Sequence, residues 1–534
     1  MTHVPGALPT RRGAKPRHGV IFDLTGAQSP SYRGRGIARY SIEMVRSVAH
    51  RFPELITAIA LHAELPIPDG LDDLGPWLTT EPDFSAAAVL HMTSVFEPEL
   101  PVSTFWPRQA SAARLLTAVT VYDLIPDIFP GWYLVDPGLR RRWRACREVV
   151  RAADAVFTLS ESARQDVIAL LGAPEWRVSV IGSGTSPSFC PPASRAEALK
   201  LARRGARGLR KGFVLYAGAF NPRKNVDRLL QGYASMPKEV IDRHQLVIVG
   251  EAPPLTRNHY LVMAKDLGLE GRVLIPGHVP EEVFVALHQA AELAVYPSHY
   301  EGYGLPVVDA LACGTPAIGG DNSSLQELLP REARFQPDDP WAIGEAITRA
   351  LTDPSHRRHL LSLAQQEPPS WASVAERAAT TFERLFRQAS EWRPGWHRRP
   401  VLATVAVPPE LGRALGPLAD CDHFLGPFEV DEGPGGLRGQ LAWPALSRLD
   451  RWRGGYDAIV GWAANLNEQE MRALEQLGDQ WPGRAIAVVA GGLVAEGAAE
   501  LPKLESRGLK VVPEGSGWDE TAQLVLEASR APAA

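Results

Sequence analysis

Cysteine is scarce in this sequence. Its four cysteines, Cys146, Cys190, Cys313 and Cys421, stand far apart and form no Cys-x-x-Cys pair, which argues against a disulfide framework and against a zinc site. No apolar run approaches the roughly 20 residues that a membrane-spanning helix needs. The first 19 residues hold no apolar block of the kind found in a secretory signal. The expectation is therefore a cytoplasmic protein, with peripheral attachment at a membrane still compatible. Charge of one sign is also wanting, since 56 basic residues against 61 acidic ones leave a formal −5. That balance gives no global attraction to nucleic acid or to an anionic membrane. The basic cluster near the start, Arg11, Arg12, Lys15 and Arg17, reads as a solvated, disordered terminus over residues 1–17.

What is present is ordinary globular material, 534 residues with 45% hydrophobic and 22% charged content, enough for about three domains of roughly 150 residues. Short apolar strands alternate with amphipathic helical stretches, the signature of parallel α/β architecture. "GVIFDL" (19–24) predicts a first strand, followed by the loop "TGAQSPSYRGRG". A helix from about Gly36 then carries Ile37, Tyr40, Met44, Val45 and Val48 at helical spacing. "LLTAVTVYDLIP" (115–126) and "DAVFTLS" (154–160) are further buried strands. Near residue 206 the order restarts with "GFVLYAG" (212–218), "HQLVIVG" (244–250), "GRVLIPG" (271–277) and "ELAVYP" (292–297). Two doubly wound units in tandem, 18–205 and 206–388, create a cleft between sheet edges where ligands of open α/β sheets bind. The helix "PSWASVAERAATTFERLF" (369–386) closes the second unit and is a candidate to pack back on the first. The linker 389–400 includes "WRPGWHRRP". Residues 401–534 form an acidic α/β accessory domain of unassigned role, with 19 acids against 11 bases. Its candidate strands are "VLATVAV" (401–407), "YDAIVGW" (456–462), "AIAVVA" (485–490) and "LKVVP" (509–513).

The stretch "PSHYEGYGLPVVDALACGTPAI" (297–318) carries most of the chemistry. A buried strand runs into "HYEGYG" and directly onto a helix that has Pro306 at its start and Gly314 just past its end. Free backbone N–H groups and the dipole make that helix N-terminus an anion site. Gly302 and Gly304 let the backbone approach a phosphate closely. Glu301 is out of place beside an anion unless the ligand also has a hydroxyl-rich part for an acid to hold. Asp309, about one turn inside the helix, suits a ribose diol, or else it merely complements the helix dipole. These residue types ask for a sugar, a diphosphate and a nucleoside.

On these motifs the chain resembles the retaining glycosyltransferases of family 4, which have the two-Rossmann GT-B fold. Pro297, Ser298, Glu301, Gly302, Gly304, Leu305, Pro306, Cys313, Gly314 and Pro316 all match that family's acid-x7-acid signature. Tyr303 stands for the usual Phe and Asp309 for the usual second Glu. "GAFNPRKNVDRLL" (218–230) resembles the family's diphosphate loop, with Lys224 at the lysine position and Ala219 where many members have arginine. Arg223 is the candidate to compensate. The stretch around Val279 resembles the base-contacting segment, and "GIARY" (36–40), "YDLIP" (122–126) and "LSESARQDV" (159–167) resemble landmarks of the first half. Many members have His-Asp where this chain has Tyr122-Asp123, so a catalytic-histidine role does not carry over.

The resemblance implies transfer of a sugar from a UDP- or GDP-sugar to an acceptor, with retention and without metal or other cofactor. Glu301, Lys224 and Asp123 are the implied catalytic residues. Arg223, Val279, Gly302, Tyr303, Gly304, Leu305, Asp309, Gly34 and Gly36 are the implied donor-binding ones. The acceptor is open among a glycan, lipid carrier, peptide or small metabolite; a protein partner through 401–534 is a further expectation, a nucleic-acid partner is not. An alternative reading is a degenerate member that binds nucleotide sugar or a partner without transfer. Asp123 reads equally as an acceptor-side acid and as a strand-end turn acid. Glu327, three residues after Ser324, reads as half of a capping box. "DCDH" (420–423) reads as a chance imitation of an Asp-x-Asp metal site.

Overall fold

Strand β1 (Val20–Asp23) is buried at every position, because a parallel sheet is covered on both faces and its strands carry no polar side. The same continuous burial marks β4 (Val89–Met92), β6 (Ala155–Thr158), β8 (Phe213–Ala217), β9 (Gln245–Val249) and β11 (Leu293–Tyr296). In the computed structural model the described residues are 18–30, 36–96, 115–365 and 368–391, together with Leu524 and the five strands of the acidic segment. Residues 1–17, Gly34 and the linker 392–400 lie outside them.

With β2 (Ile56–Ala60), β3 (Leu78–Thr79), β5 (Leu116–Val121) and β7 (Val178–Val180), the first sheet has the order β3-β2-β1-β4-β5-β6-β7. Every pairing in it is parallel. The second sheet adds β10 (Val273–Gly277), β12 (Ala317–Gly320) and β13 (Arg334–Phe335) in the order β10-β9-β8-β11-β12-β13. In both sheets the order reverses beside the first strand of the unit. At such a switch point neighbouring loops diverge and leave a crevice beyond the strand ends. This is the α/β GT-B architecture expected above. A third parallel sheet, in the order β15-β14-β16-β17-β18, consists of Val401–Val405 (β14), Asp420–Phe424 (β15), Ala458–Trp462 (β16), Ala485–Val489 (β17) and Lys510–Val512 (β18). The "DCDH" stretch is thus strand backbone at an edge of this sheet.

Helix α1 (Gly36–Arg51) buries Tyr40, Met44, Val45 and Val48 on the first sheet, as their three-to-four-residue spacing requires. The last helix of the two-sheet region, α7 (Trp371–Glu391), follows the second sheet in sequence but packs on the first. Its Val374, Ala375, Ala378, Phe382 and Leu385 enter the first core. Phe382 meets Phe22 and Phe157 edge-on at centroid distances of 5.6 and 5.4 Å, and Ser47 of α1 donates to the Trp371 carbonyl at 2.7 Å. Among the described residues no helix is long and apolar enough to cross a membrane.

Candidate active site

The turn after β8 presents two cations. Asn221 accepts from the Lys224 N–H at 3.2 Å and so caps the single turn Pro222–Lys224, whose first position suits proline because no N–H is needed there. Asn225 follows in the left-handed region at φ +58°, a conformation that asparagine tolerates. Its buried amide donates to the carbonyls of Pro297 (3.0 Å) and Pro337 (2.7 Å). The His299 N–H donates to the Arg223 carbonyl at 2.9 Å. These bonds stitch the turn to the chain leaving β11 and aim Arg223 and Lys224 at Glu301.

Glu301 receives both. Lys224 Nζ lies 2.6 Å from its Oε1 and Arg223 Nη1 lies 2.9 Å from its Oε2. All three side chains are 11–13% exposed, so the charges are largely withdrawn from solvent. Burial alone would raise the Glu301 pKa, but the attraction of Arg223 and Lys224 wins and drives it down to about 2. Burial, aided by repulsion from Arg223, pushes Lys224 downward against the pull of Glu301. The Glu301 backbone is fixed as well: its N–H donates to Ser323 Oγ and its carbonyl accepts from Ser324 Oγ, each at 2.9 Å.

Beyond Glu301 the glycine loop abuts the first sheet. A Cβ on Gly302 would stand 2.5 Å from the Tyr122 carbonyl and 2.8 Å from Asp123 Cβ, so only glycine fits. Ser160 Oγ donates to the Gly302 carbonyl at 2.6 Å while accepting from the Ala163 N–H. Asp123 lies in the same crevice, its carboxylate accepting from the Ile125 N–H at 3.0 Å. Burial raises its pKa, opposed by Arg223. Gly304, at φ +99°, opens helix α6 (Leu305–Ala312), and among the described residues no side chain caps that N-terminus, leaving its amides suited to an anion.

The structure thus gathers Glu301, Lys224, Arg223, Asp123, Gly302 and the start of α6. Gly36, at the start of α1, lies across from Leu305, whose Cδ1 would be 3.9 Å from a Cβ at Gly36. Tyr303 packs on the first core. Val279 is buried in the turn between β10 and α5 (Glu281–Ala290). Asp309 occupies a separate environment within α6. Burial lifts its pKa to about 7, with Arg39 opposing and Glu281 reinforcing the rise; Arg39 and Glu281 themselves form a 3.6 Å pair.

Glu327 corrects the capping-box expectation. Its carboxylate caps another helix, accepting from the N–H groups of Glu161 (2.9 Å) and Ser162 (2.8 Å) at the start of α3 (Glu161–Leu171) in the first unit. Ser324 is bonded to Glu301 instead. Sequence reasoning also missed Tyr300, whose hydroxyl donates to Asp166 at 2.6 Å, and Tyr133, whose hydroxyl accepts from Arg223 Nε at 3.3 Å. Only the Ser160 N-cap had a local signal. Tyr122 is structural: its hydroxyl pairs with Ser41 Oγ at 2.7 Å and donates to the Thr93 carbonyl at 3.0 Å.

Comparison with known proteins places this geometry in a family. The model described as "Glycosyl transferases group 1" matches residues 200–367, a span that contains Lys224, Glu301 and Asp309. The serotype-specific mannosyltransferase WbdA of Escherichia coli is 28% identical over 412 residues, 70% of this chain and 49% of that protein. The O-antigen chain mannosyltransferase B of Escherichia coli is 30% identical over 276 residues, 51% of this chain and 71% of that protein. The chain belongs to the glycosyl transferase group 1 family. It spans only 34–49% of the first curated relatives it matches. Among solved structures this group 1 chain resembles HepE of Anabaena in complex with UDP and glucose (TM-score 0.52, 16% identity, 69% of this chain, 100% of that one). It likewise resembles sucrose-phosphate synthase of Thermosynechococcus elongatus (TM-score 0.53, 19% identity, 70% of this chain, 100% of that one). At these identities the likeness concerns the fold alone.

Two outcomes follow from the site. Gly302→Ala forces the loop off Tyr122 and Asp123, and is expected to lower any turnover by at least about tenfold, with a fall in melting temperature of several degrees; unchanged values for both would contradict the contact. Asp309 titrates near 7 in the fold and near 3.8 unfolded, so the native chain holds its proton through that window and the Asp309 contribution to stability declines as pH rises. The stability difference between wild type and Asp309→Asn should fall by up to about 1.4 kcal/mol per pH unit between those values. Melting curves across pH 4–8 read this directly, and a flat difference contradicts it.

Proposed function

We propose that this chain transfers a hexosyl group from a nucleotide-diphosphate sugar, UDP- or GDP-linked, to a hydroxyl acceptor with retention at the anomeric carbon. The observation that carries the reading is the convergence of Lys224 and Arg223 on one buried carboxylate beside an uncapped helix N-terminus. Two nearly buried cations held together by a single acid are poised for a ligand with more than one negative charge. HepE, whose fold is similar, is described in complex with UDP and glucose, which supports a nucleotide sugar here.

In this reading Lys224 and Arg223 meet the diphosphate oxygens, where charge grows as the anomeric carbon–oxygen bond breaks. They supply the positive charge that a metal would otherwise bring, so transfer proceeds without one. The amides of Gly302, Tyr303, Gly304 and Leu305 add donors, and Gly36, across from Leu305, adds another. Glu301, displaced from the cations, accepts hydrogen bonds from sugar hydroxyls. Asp309 takes the ribose diol, and the backbone at Val279 meets the base. Glu301, engaged with the sugar hydroxyls, is not called on as the base. The acceptor proton therefore goes to the departing phosphate oxygen, on the same face as the new bond, which gives retention. Asp123, across from Gly302, orients the acceptor hydroxyl.

The test is nucleotide release from a panel of UDP-, GDP- and ADP-sugars, with the anomeric configuration of the product read by NMR. Release from a UDP- or GDP-sugar with a retained anomer is expected, and Lys224→Ala should cost about 2–4 kcal/mol in kcat/KM, as loss of an oxyanion donor does. Tight nucleotide binding with no release on any acceptor contradicts transfer.

A further inference from the structure

Of the two cations that meet Glu301, one has to be oriented and the other does not. The Lys224 ammonium is a compact charge that donates in any direction, whereas the Arg223 guanidinium is a planar fork whose donors point along fixed lines. Lys224 is placed by the turn that also leads into α4 (Val226–Ala234). The plane of Arg223 is held from both units. Within its own unit, Nη1 donates to the Tyr300 carbonyl and, at 2.9 Å, to Glu301 Oε2. From the first unit, the Tyr133 hydroxyl accepts from Nε at 3.3 Å. Among the described residues nothing engages Nη2, which shares an edge of the guanidinium with Nε. Among the same residues, Tyr133 supplies the one side chain of the first unit that hydrogen-bonds either cation.

Tyr133 is not a loose tip. It ends the single turn Pro130–Tyr133, in which proline occupies the first position and needs no N–H partner. The Leu134 N–H donates to the Pro130 carbonyl at 2.8 Å, and the Leu134 carbonyl accepts from Arg140 Nε of α2 (Pro137–Ala152) at 2.9 Å. Phe129 stacks on Trp132 at 4.7 Å and meets Tyr300 edge-on at 6.3 Å, while the Trp132 ring centroid lies 5.9 Å from that of His299. His299 and Tyr300 are the residues whose backbone holds Arg223, through the His299 N–H on its carbonyl and the Tyr300 carbonyl on Nη1. The first-unit turn is thus packed against the chain that leads to Glu301, with the phenol set against the guanidinium.

We propose that Tyr133 is a positioning residue of the donor site: by taking Arg223 Nε it fixes the guanidinium plane, so that Nη2 is presented to an oxygen of the nucleotide diphosphate. The inference rests on the transfer reading for the identity of the ligand, and adds to it a requirement met from the opposite unit. A phenol suits the task, because its oxygen accepts from a cation without bringing a charge that competes with the diphosphate. A carboxylate in its place would hold the guanidinium for itself. Without the bond the fork turns about its stem, and the cost of ordering it falls on the ligand.

The experiment is calorimetric titration of the full chain with UDP, GDP and inorganic pyrophosphate, in wild type, Tyr133→Phe, Arg223→Lys and the double variant. The arginine Nε–H signals of each are recorded by nitrogen–proton NMR without ligand. Phenylalanine keeps the ring and its packing, so Tyr133→Phe should retain the wild-type melting temperature. Diphosphate affinity is expected to fall about tenfold in Tyr133→Phe. The same change made in Arg223→Lys, which has no Nε, should cost less than about twofold. The Arg223 Nε–H signal, identified by its loss in Arg223→Lys, should move in Tyr133→Phe. Equal affinity of wild type and Tyr133→Phe, an equal loss in both backgrounds, or an unmoved Nε–H signal overturns the positioning role. A melting temperature lowered by several degrees overturns it as well, since the bond would then serve the fold. Failure of the wild type to bind any of the probes sinks the nucleotide reading itself, whereas binding that survives loss of the hydroxyl sinks this inference alone.

Discussion

The arrangement depends on a charge balance that a single carboxylate maintains. Lys224 and Arg223 are nearly withdrawn from water, and two like charges so placed are costly unless an acid lies between them. Glu301 is that acid, at 2.6 and 2.9 Å. The balance is local: one carboxylate pairs with two cations, and Asp123 is a further acid in the same crevice. That pairing holds the two cations in place in the fold, and in the proposed transfer it would present them to a dianionic group. In the proposed transfer Glu301 would take a second task, since an acid freed from its cations is a strong acceptor for hydroxyls. The question raised by an acid in a phosphate-type loop has an electrostatic answer.

The second constraint is contact between the two units at the glycine loop. Gly302 carries no Cβ because the Tyr122 carbonyl and Asp123 occupy that space. Ser160 from the first unit bonds the Gly302 carbonyl, Tyr300 from the second reaches Asp166, and Glu327 from the second caps α3 of the first. The glycine loop is thus shaped by residues of both units, and α7 returns the chain to the first core. Acid and cations are held by backbone bonds of Asn221, Asn225, Ser323 and Ser324, so their geometry is set before any ligand arrives.

Much of this was legible in the sequence because it is local. Continuous apolar runs such as "GFVLYAG" and "HQLVIVG" sit within two residues of β8 and β9. "PVVDALAC" is one residue out of register with α6, and Gly314 is left-handed past its end. Strands β2 and β4 escaped notice, since "ITAIA" and "VLHM" are short and their neighbours give little turn chemistry. Strand β15 escaped because Asp420, Asp422 and His423 hide its pattern. Residues around Glu301 were recognisable by type and spacing. What was not recognisable is every bond that crosses between units. Ser324 and Glu327 fit a capping box by spacing, yet three-dimensional neighbours claimed both side chains. Tyr133 carries no motif, and Asp166 lies in the landmark stretch 159–167 with no role assigned to it there; only the fold brings them to Arg223 and Tyr300.

The central claim is that the Lys224–Glu301 pair is the seat of the donor diphosphate. A crystal structure of the chain soaked with a non-hydrolysable UDP- or GDP-sugar tests it most directly. The account predicts diphosphate oxygens within hydrogen-bond distance of Lys224 Nζ and Arg223, and the Glu301 carboxylate turned to sugar hydroxyls. The Lys224–Glu301 pair intact at about 2.6 Å, with the nucleotide bound elsewhere, would contradict it.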